Sequence, residues 1–286
     1  NGDWRCCGDY RHLNAMTTKD AYPVPLLSDL TTRLNKAEIF SKIDLEKAYY
    51  QIPMRQEHIK KTAILTPFGL FQFNRMPFGL KNASATFQRV MDNIFRGCQN
   101  IVVYIDDILV GSPSLKEHLK DIELVFRKLK ENGLKINLKK CEFLKEELPF
   151  LGYLIIKNQL KPMSGKIDAI NQLEKPNNVK GIRRLIGMIN FYHQCIPKCS
   201  EILAPLCDLI KNKQKNDKIV WNEEANATHR SLKESLKQIT NISMLQEEAP
   251  LRLTTDASNV AIGAVLEQTI EDKQLPVGFH SRKFKI

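Results

Sequence analysis

The segment Ile101-Val102-Val103-Tyr104-Ile105-Asp106-Asp107-Ile108-Leu109-Val110 sets two adjacent aspartates between two apolar β-type runs. Both runs read as strands, so a strand pair is expected here. Asp-Asp fits the tip of a tight hairpin only moderately, because such turns favour Asn-Gly or Asp-Gly. The surroundings weigh more than the turn. Two carboxylates in a buried-type run repel each other and lose hydration, which is costly unless cations compensate. Hard oxygen ligands of this kind suit Mg2+. The competing reading is an exposed turn that happens to be acidic.

The first half of the chain alternates short β-type runs with helical ones, punctuated by Pro23, Pro25, Pro53, Pro67 and Pro77 and by Gly69 and Gly79. A short helix is expected over 26–34, started by Ser28 or Asp29, and a strand over 39–44. Pro67-Phe68-Gly69 marks a hairpin turn within 63–73. Phe87, Val90, Met91, Ile94 and Phe95 recur at helical spacing, with Ser84 as the expected N-cap. Leu119, Ile122, Val125, Phe126 and Leu129 form one face of a helix over 115–132 that Gly133 closes. Strand resumes over 149–156. After Pro162 helices are expected over 167–173, 179–192, 201–211 and 223–236, and strands return at 251–255 and 260–266.

Asp44 ends its own short apolar run. An aspartate there, followed much later by an Asp-Asp pair, is the carboxylate arrangement of a two-metal nucleotidyl transferase, whose ions lie ~3.5–4 Å apart for in-line displacement. The flanking residues are more specific. Trp4-Arg5 through Asp9-Tyr10-Arg11-His12-Leu13-Asn14, Phe40-Ser41-Lys42-Ile43-Asp44-Leu45 through Ala48-Tyr49-Tyr50-Gln51-Ile52, and Met76-Pro77-Phe78-Gly79-Leu80-Lys81-Asn82-Ala83 through Thr86-Phe87-Gln88 come first. Tyr104-Ile105-Asp106-Asp107, Gly133-Leu134-Lys135-Ile136-Asn137 with Lys139-Lys140-Cys141, and Phe150-Leu151-Gly152-Tyr153 follow. Six such segments in this order resemble the reverse transcriptases of long-terminal-repeat retroelements, most closely the gypsy-type retrotransposons. The resemblance implies an α+β, right-hand polymerase. Residues 1–162 would be a fingers remnant and a palm of antiparallel sheet and packed helices, 163–246 a helical thumb, and 247–286 a truncated RNase H-like start. It implies an RNA-directed DNA polymerase that takes an RNA or DNA template with primer, deoxynucleotides and two Mg2+ ions, with Mn2+ as a substitute. The parent Pol polyprotein would carry protease and integrase and work inside the cell, in cytoplasmic virus-like particles.

By resemblance, Asp44 and Asp106 are the main metal ligands, Asp107 completes the triad, and the Leu45 carbonyl also touches a metal. Tyr49 stands where the family has an aromatic gate against a 2′-hydroxyl, with core packing beside Tyr50 as the plainer alternative. Phe78 and Gly79 stand where the family meets the incoming base pair, and glycine allows close backbone approach. Arg5 matches the fingers arginine that clamps the triphosphate. Lys139 or Lys140 matches the lysine that protonates the leaving pyrophosphate. Tyr104 and Ile105 would line the primer terminus, and Phe150, Leu151, Gly152 and Tyr153 would form the primer grip. Lys180, Arg183 and Arg184 would offer charge to phosphates from a helix whose apolar stripe is Ile182, Leu185, Ile186 and Ile189. Asp256, in Thr254-Thr255-Asp256-Ala257-Ser258, resembles the first carboxylate of an RNase H site. The later carboxylates of that site would fall beyond Ile286, so no RNase H activity is expected of this chain. Three positions depart from the family: Gly8 replaces an aliphatic residue, Met76 replaces Leu and Ser84 replaces Pro.

Lys and Arg number 43 and Asp and Glu 32, a net charge of +11 that biases the chain towards polyanions. Between 161 and 246, 14 Lys and Arg stand against 8 Asp and Glu, so the expected thumb carries much of that excess. The 7 cysteines are odd in number and include no CxxC pair, which argues for free thiols in a reducing compartment. His193, Cys195 and Cys199 lack a persuasive fourth zinc ligand. No apolar run approaches the ~20 residues of a membrane span, so no membrane partner is expected. The start at Asn1 shows neither Met nor signal-peptide regions and reads as a cut inside a longer protein. With upstream fingers residues missing, the competing function is a nucleic-acid-binding remnant with weak or no turnover. Asp44, Asp106, Asp107 and Tyr49 together favour the enzyme.

Overall fold

The computed structural model describes residues 7–25 and 32–284. Arg5 and residues 26–31 of the helix expected over 26–34 lie outside the described residues. By its contacts the chain divides into two compact units, Asn1–Glu146 and Glu147–Ile286.

In the first unit α1 (Arg11–Met16) precedes β1 (Ile39–Asp44), and β2 (Ile64–Thr66) and β3 (Gly69–Phe71) pair around Pro67-Phe68 as expected. Then come α2 (Ala83–Ile94), β4 (Ile101–Tyr104), β5 (Asp107–Ser112), α3 (Leu115–Glu131) and β6 (Glu142–Lys145). The main sheet has the order β4-β5-β1-β6 with every neighbour antiparallel. Alternation along the strands gives it two faces. Ile43, Ile101, Val103, Ile108 and Val110 form one core with Phe87, Met91 and Ile94 of α2 and Val125 and Leu129 of α3. Phe40, Val102 and Leu109 are buried on the opposite face, which also carries Lys42, Asp44 and Asp107. Residues 34–37 close over that face: a Cβ added at Gly111 would come within 2.9 Å of Leu34 and 3.0 Å of Ala37. Full burial of each large apolar side chain contributes about 1.5–3 kcal/mol.

A polar chain crosses the helix-facing core. Leu144 N–H donates to Ser41 Oγ at 3.1 Å, and Ser41 Oγ lies 2.7 Å from His118 Nε2. His118 Nδ1 lies 3.0 Å from Ser112 Oγ, which donates to Asp121 at 2.7 Å, and Asn100 donates to the same carboxylate at 2.8 Å. Ser112 has one hydroxyl hydrogen and spends it on Asp121, so it accepts from Nδ1–H. Nε2 is then the acceptor and Ser41 its donor. The network thus selects one neutral tautomer and leaves every member bonded. It ties β1, β5, β6 and α3 together.

Ser114 Oγ caps α3, and Gly133, at φ +68°, follows its end. The start of α2 differs from expectation. Asn82 occupies the cap position without a side-chain bond to the helix, its amide being bonded to Thr18 and Asp20 instead, and Ser84 lies inside the first turn.

In the second unit β7 (Glu147–Phe150), β8 (Tyr153–Ile156) and β9 (Gln159–Pro162) form a meander, followed by α4 (Ser164–Asn171), α5 (Val179–Asn190), α6 (Cys199–Leu209) and α7 (Glu223–Lys237). β10 (Ile242–Ser243) adds to β9, and β11 (Leu251–Ala257), β12 (Ala261–Ile270) and β13 (Lys273–Lys283) make a second antiparallel sheet. The single strand expected over 149–156 is two strands, because Leu151 and Gly152 take φ of +47° and +82° and reverse the chain. β13 has no sequence signal of its own. Pro276 and Gly278 interrupt its pattern, and a register shift at Leu266/Glu267 accommodates them. Cys195 and Cys199 are buried, and burial pushes their thiols up to about 12 and about 11. Cys7 is exposed, while Cys98 and Cys141 are half-buried in the first unit. Among the described residues no helix is long and apolar enough to cross a membrane.

Candidate active site

Strand β1 runs against β5 with Asp44 opposite Asp107, and β4 pairs with β5 so that Tyr104 also faces Asp107. Ile105 and Asp106 close the hairpin. The turn therefore sits one residue earlier than a tip centred on Asp106-Asp107, and Asp107 belongs to the strand. Ile105 takes φ +54°, a left-handed conformation that is strained for a β-branched residue. Gln88 of α2 holds it there. This buried amide accepts from Ile105 N–H at 2.7 Å and donates to the Val103 carbonyl at 3.0 Å and to Asp92 at 2.8 Å.

Asp44 and Asp107 are half-buried and Asp106 is exposed. Burial lifts the Asp44 carboxyl above its usual range; Lys140 and Lys42 oppose this and Asp106 adds to it. Burial likewise lifts Asp107, opposed by Lys42 and reinforced by Asp106 and Asp44. Lys140 Nζ lies 4.0 Å from Asp44 Oδ1, and Lys42 Nζ lies 3.8 Å from Glu142. Lys139, on the same 3-10 turn (Leu138–Lys140), is exposed. Asn137 N–H donates to the Asp44 carbonyl at 2.8 Å, and Leu45 bridges Ile136, so the backbone at the end of β1 is fixed. Among the described residues no three acidic, His or Cys side chains gather tightly enough to hold a metal alone. Mg2+ keeps several waters and takes one or two carboxylates plus substrate phosphates. Acceptor-only oxygens on a partly desolvated ledge are donors of the right chemistry for it.

Five residues after Asp44, Tyr49 sits on the 3-10 turn Ala48–Gln51, entered through Lys47 at φ +46°. Its ring lies 5.1 Å from that of Phe78 and 5.6 Å from that of Phe87. Gly79 has φ +91°, and a Cβ there would come within 3.4 Å of Tyr10. Its carbonyl accepts from Asn14 at 2.8 Å. A Cβ would meet Tyr10 at ordinary contact distance, so the positive φ of Gly79, not a lack of space, is what favours glycine here. Gly8 has a local reason as well: a Cβ there would fall 2.6 Å from Tyr10 Cζ, so an aliphatic residue would displace that ring.

The remaining candidates lie in the second unit. Phe150 and Tyr153 are buried, and Tyr153 donates to the Phe191 carbonyl at 3.1 Å while packing 5.3 Å from Tyr192. Their side chains belong to the core, and the Leu151-Gly152 turn between them is half-buried. Lys180, Arg183 and Arg184 are exposed on α5, whose stripe of Ile182, Leu185 and Ile189 is buried. Asp256 on β11 accepts from Lys198 at 2.8 Å, and this bond holds its carboxyl below the usual range. Lys42 and Gln88 join the site without having been singled out from the sequence. Lys42 stands two residues before Asp44 on the same face of the strand. Gln88 is a polar residue within the apolar stripe of α2.

An antiparallel hairpin that presents an Asp-Asp pair to an aspartate on the adjoining strand, with two helices behind the sheet, is the architecture of a palm-type nucleic-acid polymerase. A family profile described as "Reverse transcriptase (RNA-dependent DNA polymerase)" matches residues 1–155, and one described as "RNase H-like domain found in reverse transcriptase" matches residues 221–286. The chain belongs to the reverse transcriptase family. It is 41% identical over 283 residues to the retrovirus-related Pol polyprotein from transposon 297 of Drosophila melanogaster, covering 98% of this chain and 26% of that protein. It is 35% identical to the transposon Tf2-3 polyprotein of Schizosaccharomyces pombe, covering 99% of this chain and 21% of that one. The chain therefore spans about a quarter of the length of these curated relatives. The foamy viral protease-reverse transcriptase dRH solved in complex with double-stranded DNA superposes with a TM-score of 0.88 at 27% identity, over 100% of this chain and 50% of that one. The same foamy viral enzyme with an RNA/DNA hybrid gives 0.83 at 27% identity, over 97% and 37%.

Proposed function

We propose that this chain is the polymerase portion of a retrotransposon Pol protein and extends a primer on an RNA or DNA template with deoxynucleotides. The register that sets Asp44 against Asp107, with Asp106 beside them in the turn, carries this reading. Divalent cations, Mg2+ by the donor chemistry and Mn2+ as a substitute, would activate the primer hydroxyl and neutralise the departing pyrophosphate. Asp44, Asp106, Asp107 and the Leu45 carbonyl are the groups that would hold them. Lys140 takes the general-acid role in preference to Lys139, because its ammonium already lies 4.0 Å from Asp44. Tyr49 excludes a 2′-hydroxyl by contact, and Phe78 and Gly79 bound the incoming base pair. Tyr104 and Ile105 line the primer terminus, and Arg5 clamps the triphosphate. The Leu151-Gly152 turn, Lys180, Arg183 and Arg184 meet backbone phosphates. Residues 1–162 act as fingers and palm, 163–246 as thumb, and 247–286, with Asp256, as the RNase H-like start. Protease and integrase would be joined in the longer Pol protein.

Primer extension on an RNA template with Mg2+, wild type against Asp106→Asn, tests the proposal. Extension by the wild type and none by the variant, with unchanged circular dichroism, is the expected result. Equal extension by both removes the carboxylates from the chemistry. Template-primer binding by an inert wild type assigns the chain to binding alone.

A further inference from the structure

Ser84 stands where the family usually has proline, and the sequence pattern offers it as a helix cap. It does not cap α2. Its hydroxyl lies 2.7 Å from the hydroxyl of Tyr49, and either oxygen can be the donor. The Tyr49 ring thus meets three supports: the tilted ring of Phe78, the edge of Phe87 and, at its far end, Ser84. Two of them, Ser84 and Phe87, belong to the same helix as Gln88, which holds the strained Ile105 turn. One rigid element therefore fixes both the aromatic wall and the catalytic hairpin.

We propose that Ser84 is a specificity-determining positioning residue that tethers the Tyr49 ring and so sets how strongly the site rejects ribonucleotides. This rests on the gate reading of Tyr49 given above. Ring contacts restrain the plane of a tyrosine, set by its second torsion, but leave it free to lean about the first. A bond at the hydroxyl, the end of the lever farthest from the backbone, removes that freedom. A deoxyribose does not press on the ring, whereas a 2′-hydroxyl does. The tether therefore matters chiefly when a ribonucleotide tries to enter. A proline at this position would offer no hydroxyl.

The experiment measures the ratio of dCTP to CTP affinity on a template-primer complex with a dideoxy-terminated primer, which needs no turnover, beside the kcat/KM ratio with an extendable primer. Ser84→Ala and Tyr49→Phe are each expected to lower discrimination about three- to tenfold, the range that one neutral hydrogen bond spans. The double variant is expected to lose no more than either single one, because both remove the same bond. Ser84→Thr, which keeps the hydroxyl, should retain discrimination, and Tyr49→Val, the control for the gate, should lose more than any of them. An unchanged ratio in Ser84→Ala beside a collapsed ratio in Tyr49→Val removes Ser84 and leaves the gate standing. An unchanged ratio in Tyr49→Val removes the gate and the tether with it. Additive single losses, or a lower melting temperature with equal losses for both nucleotides, would make Ser84 a packing residue and overturn the proposal.

Discussion

Asp107 sits in a strand whose neighbours are apolar, within the field of two other aspartates, and burial already favours its protonated form. Removing that charge relieves repulsion without opening a cavity. Asp107→Asn should raise the melting temperature of the metal-free protein by a few degrees and abolish extension. Mg2+ should stabilise the wild type more than this variant, a contrast that thermal melting with and without the cation reads directly. Gln88 answers to the opposite logic. Gln88→Leu keeps the volume but strands the buried Val103 carbonyl, at a cost of about 1–3 kcal/mol, and the part-buried N–H of Ile105. Extension should fall further than stability, because the left-handed turn loses its clamp; urea melts and single-turnover extension separate the two. Asp44 and the Asp-Asp pair were legible as residues. The position of the turn was not, because local preference argues against isoleucine at positive φ, and the contact that overrides it comes from a helix 17 residues away in sequence.

At the scale of elements, alternation and helical spacing were enough to locate β1, the β4–β5 hairpin, α2, α3 and the helices of the second unit. The order β4-β5-β1-β6 was not readable, because it joins segments separated by long intervening chain and no residue states its partner. Nor was β13, whose proline and glycine hide an alternating pattern. The polar chain through His118 is the least local feature of all, drawing on three strands and a helix. It also has a pH signature. Burial holds the His118 imidazolium below its ordinary value, with Asp121 opposing part of that effect. A lowered base titration means that the stability it supports is present above about 6.5, the ordinary histidine value, and is lost as pH falls through the folded-state value. Protonation would put a second donor on Nε2, where Ser41 already donates. Unfolding midpoints in urea should therefore drop between pH 7.5 and 5.5, and His118→Gln should begin lower but lose much of that slope. A variant with the wild-type slope would place the titration elsewhere.

Across the whole molecule the excess of 11 positive charges is spread unevenly, and the exposed face of α5 concentrates three of them. Template-primer affinity should fall steeply with salt, by a log-log slope of about 0.9 for each phosphate neutralised on B-form duplex. Replacing Lys180, Arg183 and Arg184 with glutamine should lower that slope by up to about three while leaving the melting temperature nearly unchanged. Equal slopes would move the phosphate track off this helix. The buried thiols have a different consequence. Only the thiolate attacks a disulfide reagent, and at neutral pH Cys195 and Cys199, raised to about 12 and about 11, contain almost none of it. They can be modified only during moments when the surrounding helices come apart. Cys98 and Cys141 sit in the other compact unit. Mass-resolved alkylation of Cys195 and Cys199 in the native chain is then a clock for the second unit, running at the rate at which it opens, whereas Cys98 and Cys141 are only half-buried.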